Sequence, residues 1–231
     1  MGYLRHAVIA IAAALAACSD APDATIANQA VPTPSAPGNV GADAQNAKLV
    51  VAFGDSLYAG YQLPQDQGFA PELQRALIAQ GIAADVRNAG VSGDTTAAGL
   101  ARLAFTLDGY DRKPDLVVLG LGGNDMLRGL SPAETRKNMV AILDELRRRD
   151  IPAVLTGMIA SPNMGADFAR DFNAIFPELS AQYDAPLYPF FLDGVITDSA
   201  LMLPDGIHPN DAGVDAVVAK VAPVVAGVLR N

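Results

Sequence analysis

The sequence predicts an α/β domain, a three-layer α/β/α sandwich around a mostly parallel sheet of about five strands. Three observations carry this. Short apolar runs alternate with amphipathic stretches long enough to be helices, the βαβ rhythm that builds parallel sheets. The strongest runs, Leu49 to Phe53 and Leu116 to Leu121, are almost continuously apolar, as strands covered on both faces should be. The polar residues gather just after these runs, where open parallel sheets place their functional crevice.

The elements follow in order. Leu49 to Phe53 is a strand that stops at Gly54. Phe69 to Gln80 has helical spacing and stops at Gly81. Ala84 to Asn88 is a weaker strand, and Thr96 to Leu107 reads as a helix. Leu116 to Leu121 is a strand closed by Gly122 and Gly123. A helix then starts at Ser131-Pro132-Ala133-Glu134 and runs to about Arg149. Ser131 caps it, Pro132 suits its first position, and Glu134 reaches back to the cap. Ala153 to Met158 is the fourth strand, Phe168 to Tyr183 a helix disturbed by Pro177, and Leu187 to Phe191 the last short strand. Ala212 to Leu229 closes the domain, capped by Asn210 or Asp211 and kinked by Pro223.

Composition narrows the function. Hydrophobic residues make up 51% and charged residues 18% of 231, as in a folded globular chain. The net charge of −9 argues against a nucleic-acid partner, which would need a basic footprint. One cysteine, Cys18, leaves no internal disulfide, and the two histidines are His6 and His208. That set provides no His/Cys zinc site, so no metal is expected. There is neither a phosphate-binding G-x-x-x-x-G-K-[ST] loop nor a G-x-G-x-x-G turn opening a helix, so no nucleotide cofactor is expected. No obligate protein partner is evident.

The N-terminus reads as an export signal. Arg5 precedes the apolar run Ala7 to Ala17, which is too short to span a bilayer as a helix. Leu15-Ala16-Ala17-Cys18 resembles the lipobox of bacterial lipoproteins, which implies lipidation of Cys18. Ser19 after it implies sorting to the periplasmic side of the outer membrane, with the membrane as a partner through the lipid; the alternative is ordinary signal cleavage nearby, with Cys18 incidental and the protein soluble in the periplasm or secreted. Residues 19–47 hold four prolines and no aromatic or basic residue, and read as a disordered tether. Residues 48–231 are then the folded domain.

The strand ends carry a chemistry. They bring Gly54-Asp55-Ser56, Asn88-Ala89-Gly90, Gly123-Asn124-Asp125 and Asp205-Gly206-Ile207-His208 to one rim. A serine hydroxyl is a poor nucleophile until a base takes its proton. Once the signal is removed, His208 is the remaining imidazole. Asp205, three residues before it, is placed to hold the ring in one tautomer. The amides of Ser56 and Gly90 and the side chain of Asn124 are the candidate donors to an oxyanion. Each residue alone has a plainer job. Ser56 could cap a helix, Gly90 and Gly93 could serve turns, and Asn124 could hold a loop. Asp55, Asp94 and Asp125 are assigned bracing roles.

Together these blocks resemble the SGNH, or GDSL-type, hydrolases, nearest the branch of thioesterase I, lysophospholipase L1 and arylesterase. Phe53 to Leu57, Gly93 to Thr96, Gly122 to Gly129, Leu187 to Phe191 and Asp205 to Asn210 carry the resemblance. It implies a flavodoxin-like sheet, catalysis by Ser56, Gly90, Asn124 and His208 with Asp205 as the acid, and hydrolysis of aryl esters, acyl thioesters or lysophospholipids. The same triad would serve an esterase removing O-acetyl groups from cell-envelope carbohydrate. A ligand-binding lipoprotein without catalysis would lack any covalent chemistry at Ser56. In the stretch Met158 to Gly165, Ile159 and Ser161 depart from the branch's usual Arg and Pro, which bears on acyl and leaving-group preference.

Overall fold

The computed structural model describes Asn46 to Asn231. The signal, Cys18 and all but the end of the expected tether lie outside the described residues.

Five strands form one sheet in the order β2-β1-β3-β4-β5, and every pairing is parallel. They are β1 (Lys48–Gly54), β2 (Ala84–Gly90), β3 (Leu116–Gly120), β4 (Ala153–Thr156) and β5 (Leu187–Tyr188). The helices are α1 (Ser56–Ala59), α2 (Phe69–Ala79), α3 (Thr96–Asp108), α4 (Gly123–Leu127), α5 (Pro132–Arg148), α6 (Ala166–Asn173), α7 (Ile175–Tyr183) and α8 (Asp211–Leu229). From β1 the chain steps outward to β2, then crosses back to β3 on the other side. That reversal opens a crevice beyond the carboxyl ends of β1 and β3.

Alternate side chains of each strand enter two separate cores. Val50, Ala52, Leu116 and Val118 pack under α2 and α8, through Leu73, Leu77, Val217 and Val221. Val51, Phe53, Val117 and Leu119 pack under α3, α5 and α7, through Leu103, Met139, Leu143 and Leu179. Both faces are covered, which is why these strands read as unbroken apolar runs. Helix α8 is long and apolar enough to cross a membrane by composition, yet its buried face belongs to the first core.

Three expected elements differ in detail. The helix expected over Phe168 to Tyr183 is two, α6 and α7, broken at Ala174. Pro177 has no N–H for the carbonyl of Asn173, so it stands in the first turn of a new helix. β4 stops at Thr156 and β5 at Tyr188, beyond which the regular pairing is lost: Gly157 N–H still reaches Tyr188 O at 2.8 Å, but Gly157 O accepts from Phe191 N–H at 2.9 Å. Helices α1 and α4 have four and five residues, too short for any periodicity to reveal. Helix α8 continues through Pro223 as one element, and its cap is Asn210, whose side chain accepts from Gly213 N–H.

Two glycines at adjacent strand ends make room for α1. The ring of buried Tyr58 lies over Gly54 and Gly120, and its hydroxyl pairs with Thr156 Oγ1 at 2.8 Å. A Cβ on Gly120 would sit 2.3 Å from the ring and 2.7 Å from Thr156 Oγ1. Gly120→Ala is therefore expected to destabilise the fold by about 1–3 kcal/mol through overpacking. A thermal melt should show a loss of about 2–4 °C per kcal/mol. An unchanged melting temperature would mean that α1 is free to shift.

Candidate active site

Ser56 occupies the first position of α1. Asp55 caps that helix, its Oδ1 accepting from Leu57 N–H at 3.1 Å, and Gly60 ends it in the left-handed conformation at φ 77°. A residue at the first helical position has no intrahelical acceptor for its N–H, so the Ser56 amide is not used by the helix, and Ser56 lines the crevice. Burial raises the Asp55 carboxyl to about 6, against the pull of Leu57 N–H, the His208 charge and Asn124.

His208 is carried on the segment between a 3₁₀ turn at Ser199–Leu201 and α8. An antiparallel bridge between Met202 and Pro209 and the bond from Leu203 N–H to His208 O, 2.8 Å, hold it in place. Asp205 Oδ1 accepts from the backbone of Ile207 at 2.9 Å and of His208 at 3.0 Å, closing the turn through Gly206. Its Oδ2 accepts from His208 Nδ1 at 2.7 Å. These bonds, the backbone ones first, hold the Asp205 carboxyl down at about 2. A carboxylate on Nδ1 keeps the proton there, so Nε2 is left as the acceptor. It stands 2.8 Å from Ser56 Oγ, which donates to it. The ring of Tyr61 lies against the imidazole, with centroids 4.3 Å apart.

Asn124 is in the first turn of α4, which Gly122 opens at φ 113°. Its Nδ2 donates to Asp55 Oδ2 at 3.3 Å. Its neighbour Asp125 is buried and accepts from Thr96 N–H at 2.8 Å and from the hydroxyls of Thr96 and Thr135. Asp125 thus ties α4 to the starts of α3 and α5. Asp94 pairs with Arg102 at 2.6 Å, and Arg102 also donates to Gly54 O at 3.0 Å and covers the Phe53 ring. The bracing roles expected of the three aspartates match these contacts.

Gly90 does not stand where the sequence reading put it. It is the last residue of β2, still in register with Gly54, and its N–H donates to Asn88 Oδ1 at 2.9 Å. A Cβ there would lie 2.3 Å from Ala59 N, so this glycine serves the packing of β2 against α1. Gly93, three residues on, lines the crevice beside Ser56 and Asn124. It has φ 85°, and its N–H has no acceptor among the described residues. Its carbonyl accepts from Arg128 at 2.7 Å. A signal for Gly93 was present in the sequence. The loop residues between a strand end and a capped helix face the crevice, and Thr95 caps α3.

Ser56, Gly93, Asn124 and His208 open into a cavity of about 480 Å³ with Leu57, Met126, Leu127, Met158, Leu192 and Ile196 on its walls. Ser161 reaches it too, its N–H on Met126 Sδ at 3.1 Å, whereas Ile159 points outward and is 46% exposed. A larger cavity of about 570 Å³ lies by Pro152 and Pro186, at the amino ends of β4 and β5, where parallel sheets do not carry chemistry. Among the described residues no three His, Cys, Asp or Glu side chains group as metal ligands.

A parallel sheet whose carboxyl rim joins serine, imidazole and carboxylate in one hydrogen-bonded line, above an apolar cavity, has the architecture of a hydrolase. The comparisons agree. The GDSL-like Lipase/Acylhydrolase family matches residues 52–216. Esterase TesA of Pseudomonas aeruginosa is 37% identical over 179 residues, 78% of this chain and 88% of that protein. Thioesterase 1/protease 1/lysophospholipase L1 of Escherichia coli K12 is 35% identical over 164 residues, 71% of this chain and 76% of its own length. The crystal structure of AlinE4, an SGNH-hydrolase family esterase, superposes with a TM-score of 0.68 at 50% identity, covering 78% of this chain and 96% of that one. The chain belongs to the GDSL-like lipase/acylhydrolase family, and it is an ester-bond hydrolase of the SGNH type.

Proposed function

We propose that this enzyme hydrolyses carboxylic esters and thioesters of apolar acyl groups through an acyl-enzyme on Ser56. One observation carries the reading: the unbroken line Ser56 Oγ, His208, Asp205, with contacts of 2.8 and 2.7 Å, at the mouth of an apolar cavity. His208 Nε2 takes the hydroxyl proton as Ser56 Oγ bonds to the carbonyl carbon. The oxyanion is met by the amides of Ser56 and Gly93 and by Asn124 Nδ2. The C–O or C–S bond then breaks, and His208 passes its proton to the leaving alcohol or thiol. Water, deprotonated by the same imidazole, attacks the acyl-serine. The acid forms and Ser56 regains its proton. Asp205 stays ionised throughout and balances the imidazolium.

The cavity walls support an acyl chain better than a polar sugar. Aryl esters, acyl thioesters and lysophospholipids are the proposed substrates, and no cofactor takes part in the steps above. A series of aryl and thio esters of increasing acyl length tests this. Turnover should rise with chain length as the walls are filled. A maximum at acetyl, with acetylated glycans preferred, would favour the carbohydrate O-acetyl esterase instead. The proposed setting is the periplasmic side of the outer membrane, where a lipid on Cys18 and a tether over 19–47 would hold the domain that begins at Lys48. Mass spectrometry of the native N-terminus reads that directly.

A further inference from the structure

Asp55 does more than cap α1. We propose that Asp55 is a positioning residue of the oxyanion hole, its buried carboxylate dictating which way the Asn124 side-chain amide faces. This rests on the oxyanion role of Asn124 proposed above.

The argument starts from donor and acceptor counts. An ionised carboxylate only accepts hydrogen bonds, whereas a carboxamide has one accepting end and one donating end. Asp55 Oδ1 is occupied by Leu57 N–H at 3.1 Å, which fixes the carboxylate's plane. Its Oδ2 faces Asn124 Nδ2 at 3.3 Å. If the amide turned over, two acceptor oxygens would face each other in a site where Asp55 is 4% exposed. The carboxylate therefore selects the rotamer with Nδ2 inward. One N–H is spent on Asp55, and the other is left for the oxyanion. Gly123 keeps this approach open: a Cβ there would lie 3.3 Å from Asp55 Oδ2.

Protonation would remove the selection. A neutral Asp55 can donate to the carboxamide oxygen, so the reversed amide becomes as good a partner. The oxyanion would then meet a lone pair where it needs a donor. Burial already brings the Asp55 carboxyl to about 6, within reach of mild acid. The charges that face it are His208, which lowers it, and Asp94, which raises it and is itself paired with Arg102; Tyr58 lies beneath it with a phenol that burial pushes far above its usual range. Asp55 should therefore contribute to the acid limb of the pH profile.

Two measurements test this. The first is a double-mutant cycle. Asp55→Asn keeps the shape and an oxygen for Leu57 N–H but presents a donor to Asn124. It should lower kcat by about 10–100-fold, a fraction of the 10²–10³-fold expected for Asn124→Ala, with KM within about twofold. In an Asn124→Ala background, Asp55→Asn should cost less than about threefold more. Losses that multiply would overturn the proposal, since Asp55 would then act independently of Asn124. Asp55→Ser, which still caps α1 but cannot reach Asn124, repeats the cycle if the Asn variant does not fold. The second measurement leaves Asp55 in place. The acid limb of kcat/KM should fall about one log unit per pH unit more steeply in the native enzyme than in Asn124→Ala, the extra step belonging to Asp55. Equal slopes would overturn the proposal. Native turnover in Asn124→Ala would instead overturn the oxyanion assignment beneath it, so the two failures are distinct.

Discussion

Ser56→Ala is expected to lower kcat by about 10⁵–10⁶-fold and to abolish labelling by a fluorophosphonate probe. The loss is this large because serine and histidine act as one unit. Without Oγ there is no atom 2.8 Å from His208 Nε2 to attack a carbonyl, and the imidazole has no proton to take. What remains is binding and the oxyanion donors acting on adventitious water, a residual of about 10³–10⁴ over the uncatalysed reaction. The fold should be unaffected, because Ser56 makes no side-chain bond except to His208 among the described residues, and the helix cap belongs to Asp55. Labelling that persists in the variant would place the nucleophile elsewhere.

Asp205→Asn should cost about 10⁴-fold in kcat with little change in structure. The carboxylate has two separable jobs. Oδ1 accepts two backbone N–H groups and builds the turn, and an asparagine oxygen can do that. Oδ2 accepts the Nδ1 proton of His208, and an asparagine there presents N–H instead. The imidazole would then carry its proton on Nε2 and face Ser56 as a donor. Since Asp205 is held down at about 2, it stays ionised well below neutrality and adds nothing to the acid-side fall expected from Asp55. The native and Asp205→Asn chains should give matching far-ultraviolet spectra. A fall below tenfold would mean that His208 keeps its tautomer without the carboxylate.

The architecture and most of the candidate site were legible in the letters of the chain. Continuous apolar runs named β1 and β3, since burial on both faces leaves no polar position to mark a period. The Ser131 cap and Pro132 located the start of α5 to the residue. The scarcity of histidine singled out His208. The GDSL-type blocks supplied Ser56, Asn124 and Asp205 in order. Local chemistry of this kind is written in consecutive residues.

The rest depends on which groups meet across the chain. Gly90 and Gly93 look alike as letters, both glycines just beyond the strand expected over Ala84 to Asn88. The sheet register claims the first, and the crevice receives the second. The break between α6 and α7 falls at Ala174, three residues before Pro177, and each helix sends its own phenylalanine, Phe172 and Phe176, into the second core. Asp55 and Asn124 lie 69 residues apart, so no local pattern announces their contact. It exists because β1 and β3 are neighbours and end at the same height. A helix cap thereby becomes the partner of the proposed oxyanion donor, through a sheet whose order only the folded chain reveals.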